Sequence, residues 1–296
     1  MKKRLLVIAN PFSGTNAKTN LEKNLHLLNK GHFELDVAFT QHPGHACTLA
    51  ASAIESQYDI VAAAGGDGTV NEVASVLAGT KTILGILPSG SGNGFAMHLG
   101  LGRDAIKAFE ILKKENIILV DTCKVNDKFF INVSGLGFDA RVAYLTKFNK
   151  KRGFWPYFMT SLSEAKNFST LPLTIQTDTE IIQGNYAAAI VANASMYGYN
   201  FTIAPTAALD DGFLDVILLQ EAPVYKYLLA SYRMLNKTIH KSSLVKTFRT
   251  SSLIISTNKQ DYFHVDGEGF ELNETLHFSI QRKNIKVVAA PVIPAF

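Results

Sequence analysis

Cysteine is scarce in this chain: two residues, Cys47 and Cys123, in 296. Neither stands at metal-ligand spacing, which excludes a cysteine-based metal site and makes a reducing cytoplasm the expected setting. Long apolar runs are absent. No stretch approaches the roughly 20 residues that a membrane span requires, so any membrane contact is expected to be peripheral. The opening Met1-Lys2-Lys3-Arg4 leads into neither the long apolar run nor the cleavage site of a signal peptide. Excess charge of one sign is also slight: 29 Lys and Arg against 25 Asp and Glu, a formal net charge of +4. That is too little to argue for nucleic acid, and it suits an anionic small molecule or a membrane surface. Internal repeats, low-complexity tracts and long linkers are missing as well. With 47% hydrophobic and 18% charged residues the chain reads as folded and globular. Its length exceeds what one typical core accommodates, so two domains are expected.

What is present is punctuated by glycine. Ile60 to Ala64 runs without charge into Gly65, Gly66, Asp67, Gly68 and Thr69, which reads as a buried strand ending in a sterically open loop. Val70, Val73, Ala74 and Leu77 then recur at helical spacing. Backbone N–H groups of the loop and of the helix's first turn can converge on an anion there; an ordinary strand-to-helix turn is the alternative for this stretch alone. The same grammar surrounds it. Arg4 to Ala9 is a strand broken by Asn10-Pro11-Phe12-Ser13-Gly14 before a helix with Leu21, Leu25 and Leu28 on one face. Phe33 to Phe39 ends in Thr40 before a helix from His45 to Ser56, with Leu49, Ala50, Ala53 and Ile54 on its buried side. Thr82 to Leu87 ends in Pro88 through Gly94 before a short helix. This alternation predicts an open, parallel, Rossmann-like α/β sheet, with the four strand ends on the one edge where such sheets bind ligands.

After Asn116 to Lys124 the texture changes. Short alternating runs at Phe129–Val133, Leu173–Thr177, Tyr186–Ala192, Phe213–Leu219, Leu253–Ser256, Tyr262–Val265 and Leu276–Ile280 are separated by Asn, Asp and Gly turns. They predict an antiparallel β-sandwich, interrupted by helices at about Ala140–Asn149, Trp155–Phe168 and Pro223–Lys237. The expected domains are residues 1–125, binding a nucleotide, and 126–284, binding the substrate, packed around a shared cleft. Whether Ile285 to Ala289 returns to the first domain the pattern does not decide.

GGDGTVNE at Gly65–Glu72, followed by LPSGSGNGFA at Leu87–Ala96, resembles the diacylglycerol kinase catalytic domain family, which includes bacterial lipid kinases and sphingosine kinases. The resemblance extends over nearly the whole chain: NPFSG at Asn10–Gly14, Thr40 with Gly44–Ala46, VDTCKVN at Val120–Asn126, NVSGLGFDA at Asn132–Ala140, LDDGFLDV at Leu209–Val216 and HVDGEGF at His264–Phe270. GGDG alone would also admit NAD kinases and phosphofructokinases; the later motifs favour the lipid-kinase branch. The implied fold is a Rossmann-like domain followed by a β-sandwich, the implied cosubstrate is ATP with Mg²⁺, and the implied acceptor is a lipid.

Phosphoryl transfer needs charge neutralisation and positioning of a triphosphate. Glycines let backbone amides approach phosphate oxygens, and Asn10, Ser13, Thr40, Thr69 and Ser91 offer short side-chain donors. By resemblance the nucleotide is held by these residues together with Pro11, Phe12, Gly14, Gly65, Gly66, Asp67, Gly68, Asn71, Glu72 and Asn93. Asp67, the one acid in the cradle, is read as organising the nucleotide's metal, with a turn-stabilising role as the alternative. Glu72 reads equally as a helix-start acid or a nucleotide contact. The resemblance also implies a structural Mg²⁺ site at Asp211 with the carbonyls of Ala208 and Phe213, linked to the catalytic groups through Asp121; a plain turn is the alternative. Glu268, between two glycines read as keeping the backbone open, matches the family's catalytic base, which accepts the substrate hydroxyl's proton.

Two departures bear on the acceptor. Gly90-Ser91-Gly92-Asn93-Gly94 replaces the GTxND of many diacylglycerol kinases and is closer to sphingosine and ceramide kinases. The acid that sphingosine kinases place shortly after Gly137-Phe138 has no match among Asp139, Ala140, Arg141, Val142 and Ala143. Other features stay open between two readings. Lys147, Lys150, Lys151 and Arg152, running into Phe154, Trp155, Tyr157 and Phe158, suit an anionic membrane interface or a solvated basic loop. Tyr197, Tyr199 and Phe201 suit a lipid-facing groove or core strand positions. His42 and His45 have no third ligand and read as a helix-start turn.

The sequence as a whole points to a lipid kinase in the cytoplasm, peripheral to the inner face of the membrane, that transfers the ATP γ-phosphate to diacylglycerol or a related lipid. A sphingoid-base kinase and a non-catalytic nucleotide- and lipid-binding sensor are the alternatives, and a homodimer is left open.

Overall fold

The computed structural model describes residues 2–13, 18–146, 159–161, 163–164 and 169–291. Gly14, the basic and aromatic segment 147–158, and most of the helix expected from Trp155 to Phe168 lie outside the described residues. The chain divides into two compact units: the residues up to Val120 together with those from Lys283 onward, and Asp121 to Arg282.

In the first unit, strands β1 (Arg4–Ala9), β2 (Glu34–Phe39), β3 (Ile60–Gly65) and β4 (Ile83–Pro88) form a parallel sheet in the order β2-β1-β3-β4. Strand β17 (Leu276–Val288) adds its last residues beside β4, pairing Lys286 with Ile83 and Val287 with Leu84. Strand β3 is buried along its whole length, which accounts for its uninterrupted apolar sequence, because a central parallel strand is covered on both faces. Helices α1 (Lys18–Asn29), α2 (His45–Glu55), α3 (Asp67–Leu77), α4 (Gly94–His98) and α5 (Ala105–Leu112) connect the strands. Helix α2 packs beside α3 and α1 beside α5. Val70, Val73, Ala74 and Leu77 form the buried stripe of α3; full burial of Leu77 contributes about 1.5–3 kcal/mol. Because the strands are parallel, Asn10, Thr40, Gly65–Thr69 and Ser89–Asn93 follow the same edge of the sheet.

The second unit is an antiparallel β-sandwich. Its strands are β5 (Ile117–Val125, from Asp121), β6 (Lys128–Phe130), β7 (Val133–Gly137), β8 (Leu171–Thr177), β9 (Ile181–Ala192), β10 (Met196–Gly198), β11 (Phe201–Thr202), β12 (Leu214–Gln220), β13 (Val245–Thr250), β14 (Ser252–Thr257), β15 (Asp261–Val265), β16 (Glu268–Leu272) and β17 to Arg282. Helix α6 (Phe138–Thr146) follows β7, and α7 (Val224–Leu235) follows β12. Strand β9 organises this unit, pairing with β8 over its first half and with β7 and β12 over its second. Its alternation splits two cores: Ala189 and Val191 join one cluster, Ala188, Ile190 and Ala192 the other.

Two strand expectations need correction. Phe129 to Val133 is not one strand. Strand β6 stops at Phe130, because the N–H groups of Ile131, Asn132 and Val133 turn to the Asp266 carboxylate. Leu276–Ile280 and Ile285–Val288 are instead parts of one strand, β17, with Ala289 just past its end; the strand carries a left-handed residue at Lys283, φ 49°, where it leaves the second unit.

Candidate active site

The first unit brings the glycine loop and its neighbours together. The first bond of the α3 ladder runs from the N–H of Val70 to the Gly66 carbonyl, so the donors of the opening turn precede the ladder and face outward along the helix axis. The two loops touch backbone to backbone. The N–H of Ser89 donates to the Gly65 carbonyl at 2.9 Å, and a Cβ at Gly90 would stand 2.4 Å from the Gly66 Cα. Glycine is required at 90 for that close approach.

Around this contact, the Asn10 amide donates to Thr69 Oγ1 at 3.3 Å and accepts from the N–H of Phe12 at 2.9 Å. Ser13 Oγ lies 3.0 Å from Ser89 Oγ. Asn93 is left-handed, φ 55°, and buried; its amide donates to the Gly90 carbonyl at 2.7 Å, while its buried Oδ1 finds no hydrogen-bond partner among the described residues. The resulting surface of short polar side chains and glycine backbone suits phosphate oxygens. Thr40 is buried at the end of β2, and Ser91 is exposed. Phe12 is 75% exposed. Glu72 has a different partner from either sequence reading: its carboxylate accepts from the N–H groups of Gly44 at 3.0 Å and Ala46 at 3.1 Å, and so caps the start of α2.

The second unit supplies a pocket and a braced hairpin. A cavity of about 320 Å³ is lined by apolar side chains from β7, β9, β12 and α7, among them Val133, Ile190, Ile217 and Met234. That volume lies within the range of small-molecule sites. Tyr197, Tyr199 and Phe201 belong to its lining, and Tyr197 also packs against the second core cluster. Asn132, Asp139, Tyr197, His264 and Asp266 are among the polar residues of the lining. Tyr197 donates its hydroxyl to Asp139 Oδ2 at 2.6 Å, and His264 Nε2 lies 3.0 Å from the same oxygen. The N–H of Gly267 donates to His264 Nδ1 at 3.4 Å, which places the ring proton on Nε2 facing Asp139.

Asp266 and Gly267 form the two-residue turn of the β15–β16 hairpin, with φ of 47° and 86°, between the paired Val265 and Glu268. The Asp266 carboxylate accepts three backbone N–H groups, from Ile131, Asn132 and Val133, at 3.0 to 3.1 Å. Glu268 is exposed and follows this braced turn directly. The flanking glycines act differently from expectation. Gly267 serves the turn, but Gly269 is closed in, since a Cβ there would stand 2.5 Å from the Tyr144 backbone of α6.

The acids proposed for a structural metal are already engaged. Asp211 accepts from the N–H of Phe213 and pairs with the Arg249 guanidinium, which also faces Asp215 at 3.5 Å. Asp121, fully buried, accepts from the N–H of Gly212 at 2.7 Å. Among the described residues no three His, Cys, Asp or Glu side chains are grouped to hold a metal ion. As arranged, the Asp211 set fits a guanidinium rather than Mg²⁺, because Arg249 supplies the positive charge that the divalent ion would bring. Asp67 differs: a nucleotide-borne Mg²⁺ takes most of its ligands from phosphate and water, so one carboxylate beside a phosphate cradle is a fitting donor set.

Sequence reasoning gave no role to Asn132, Asp139 and His264, although all three stand in NVSGLGFDA or HVDGEGF. Comparison with known proteins follows the same division of the chain. Residues 4–125 match the model of the diacylglycerol kinase catalytic domain, and residues 132–288 match that of the YegS C-terminal NAD kinase beta sandwich-like domain. The chain is 31% identical over 276 residues to a diacylglycerol kinase of Staphylococcus saprophyticus, with 90% of each chain covered. It is 27% identical to one of Bacillus subtilis, again with 90% of each covered. Among solved structures, one Bacillus anthracis chain shares the fold with a TM-score of 0.82 at 24% identity and 99% coverage of both chains. A diacylglycerol kinase from Bacillus anthracis does so at 0.76 and 21%, covering 99% of this chain and 98% of that one. By these matches over both of its units, the chain belongs to the diacylglycerol kinase catalytic domain family, a family of lipid kinases.

Proposed function

We propose that this chain transfers the γ-phosphate of ATP to the free hydroxyl of a diacylglycerol-type lipid drawn from the cytoplasmic face of a membrane. The observation that carries this reading is the apolar cavity of the second unit, whose lining includes Gly267, the residue before Glu268. Such a cavity suits the hydrocarbon part of an acceptor, and Asn132 brings a buried amide Oδ1 that has no hydrogen-bond partner among the described residues. The engagement of Asp139 by Tyr197 and His264 favours a neutral glyceride over a sphingoid base, whose ammonium would compete for that carboxylate.

In this reading Asn10, Ser13, Thr69, Ser89, Asn93 and the amides of Gly65 to Gly68 hold the triphosphate. Asp67 would hold the Mg²⁺ that arrives with ATP, which would supply charge neutralisation to the transferred phosphate. Glu268 accepts the acceptor hydroxyl's proton as its oxygen bonds to the γ-phosphorus; the bond to the β-phosphate oxygen breaks, and ADP leaves. Gly267 and Asp266 hold that acid in place.

The test is transfer of labelled γ-phosphate to a total lipid extract, with the product identified. A phosphorylated glyceride supports the proposal. Label in a sphingoid base, or nucleotide binding with no transfer to any lipid, overturns it.

A further inference from the structure

Helix α7 has two different faces. Tyr227, Ala230, Ser231 and Met234 point one way and line the cavity, with Tyr227 fastened at its hydroxyl by the Ala222 N–H and the Gln220 carbonyl. Tyr225, Leu229 and Tyr232 point the other way and are 60%, 59% and 66% exposed. At 100° per residue, Leu228 and Leu235, also exposed, complete an outward stripe about 120° wide. Lys226 and Arg233 fall along one border of that stripe, Lys237 follows the helix's C-terminal end, and no Asp or Glu occurs between Glu221 and Asp261.

Aromatic and leucine side chains on one face, a basic border, and an opposite face built into a cavity wall describe an interfacial helix. We propose that α7 is the element that docks this protein on an anionic lipid surface, with Tyr225, Leu228, Leu229, Tyr232 and Leu235 seated among the acyl chains and Lys226, Arg233 and Lys237 against the headgroups. The inference deepens the lipid-kinase reading and rests on it: the helix that takes the membrane on one side walls the acceptor's cavity on the other, and Leu228 belongs to both faces. A second copy of the chain is a poorer occupant. A two-fold contact through this stripe would set Lys226, Arg233 and Lys237 near their own images with no acid on the helix to offset them.

The test uses the full chain with Leu229→Glu and Tyr232→Glu combined, since neither residue lines the cavity. Binding is measured by co-sedimentation with vesicles of equimolar phosphatidylcholine and phosphatidylglycerol, and with phosphatidylcholine alone. Wild type should partition onto the mixed vesicles, and the double variant should lose about tenfold or more in partitioning at an unchanged melting temperature. Lys226→Gln and Arg233→Gln should each lose about fivefold on anionic vesicles and little on neutral ones. Phosphorylation of a long-chain glyceride in vesicles should fall with binding, while that of a short-chain glyceride dissolved as monomers stays at the wild-type rate. Unchanged partitioning of the double variant overturns the proposal, as does a wild-type dimer that the double substitution dissociates without affecting vesicle binding. If binding falls as expected but wild type phosphorylates neither glyceride, docking stands and the kinase reading fails.

Discussion

Asp266 is the residue whose replacement tests the site's construction most sharply. Its carboxylate accepts the N–H groups of Ile131, Asn132 and Val133, all three of them buried residues. In Asp266→Ala each of these partly buried N–H groups loses its acceptor, at about 1–3 kcal/mol apiece and so about 3–9 kcal/mol in all. A further ~1 kcal/mol comes from holding alanine at φ 47°. Against a typical total of about 5–15 kcal/mol, that brings the chain close to unfolding. Two companions separate the terms. Asp266→Gly loses the same bonds without the backbone strain and should be about 1 kcal/mol more stable than the alanine variant. Asp266→Asn keeps one acceptor oxygen for Asn132 and Val133 and should cost about 1–3 kcal/mol. Urea unfolding followed by circular dichroism gives the three values. In the folded fraction, kcat should drop because Glu268 follows this turn, while KM for ATP holds. An Asp266→Ala variant within about 0.5 kcal/mol of wild type would refute the reasoning.

Other sites give independent outcomes. Gly90→Ala places a Cβ 2.4 Å from the Gly66 Cα and forces the two loops apart; it should cost about 1–3 kcal/mol of stability and raise KM for ATP, and unchanged ATP kinetics would contradict the cradle. Glu72→Ala should cost about 1–2 kcal/mol through loss of the α2 cap with little change in KM for ATP; a raised KM at unchanged stability would return Glu72 to the nucleotide. Burial holds His98 neutral, its pKa pushed down to about 4 from 6.5. The unfolded chain therefore takes up the proton first, and stability present above pH 6.5 is lost as pH falls toward 4, by up to about 3 kcal/mol. Melting temperatures across that window should fall, His98→Leu should flatten the fall, and a flat wild-type profile would contradict the assignment.

The parallel half of the fold is legible because its signals are local. Ile60–Ala64 needs no partner to be read as a covered strand, and Gly65–Thr69 announces its turn. Helix α5 escapes notice although Asp104 caps it, accepting from the N–H of Ile106, because it follows a region of weak periodicity. Strands β13 and β16 are missed for a similar reason: Val245–Thr250 is a half-exposed strand, and Glu268–Leu272 begins inside a motif read for its chemistry. The pocket is less legible still. Ala188 and Ile190 look like any apolar strand; only the register of β9 against β7 and β12 puts them under α7. Asp139, Tyr197 and His264 come from three distant segments, and no spacing rule joins them. The partners of Glu72 and Asp211, the α2 N-terminus and Arg249, are set by tertiary packing, which no local pattern shows.

The central claim is that Glu268 takes the proton from a lipid hydroxyl while the glycine cradle with Asp67 holds the phosphate donor. Steady-state transfer of γ-phosphate from ATP to a diacylglycerol, compared between wild type and Glu268→Gln at matched melting temperature, tests it most directly. The account predicts a loss of about 10²- to 10⁴-fold in kcat with KM for ATP unchanged. Full turnover by Glu268→Gln, or a loss confined to KM for ATP, would contradict it.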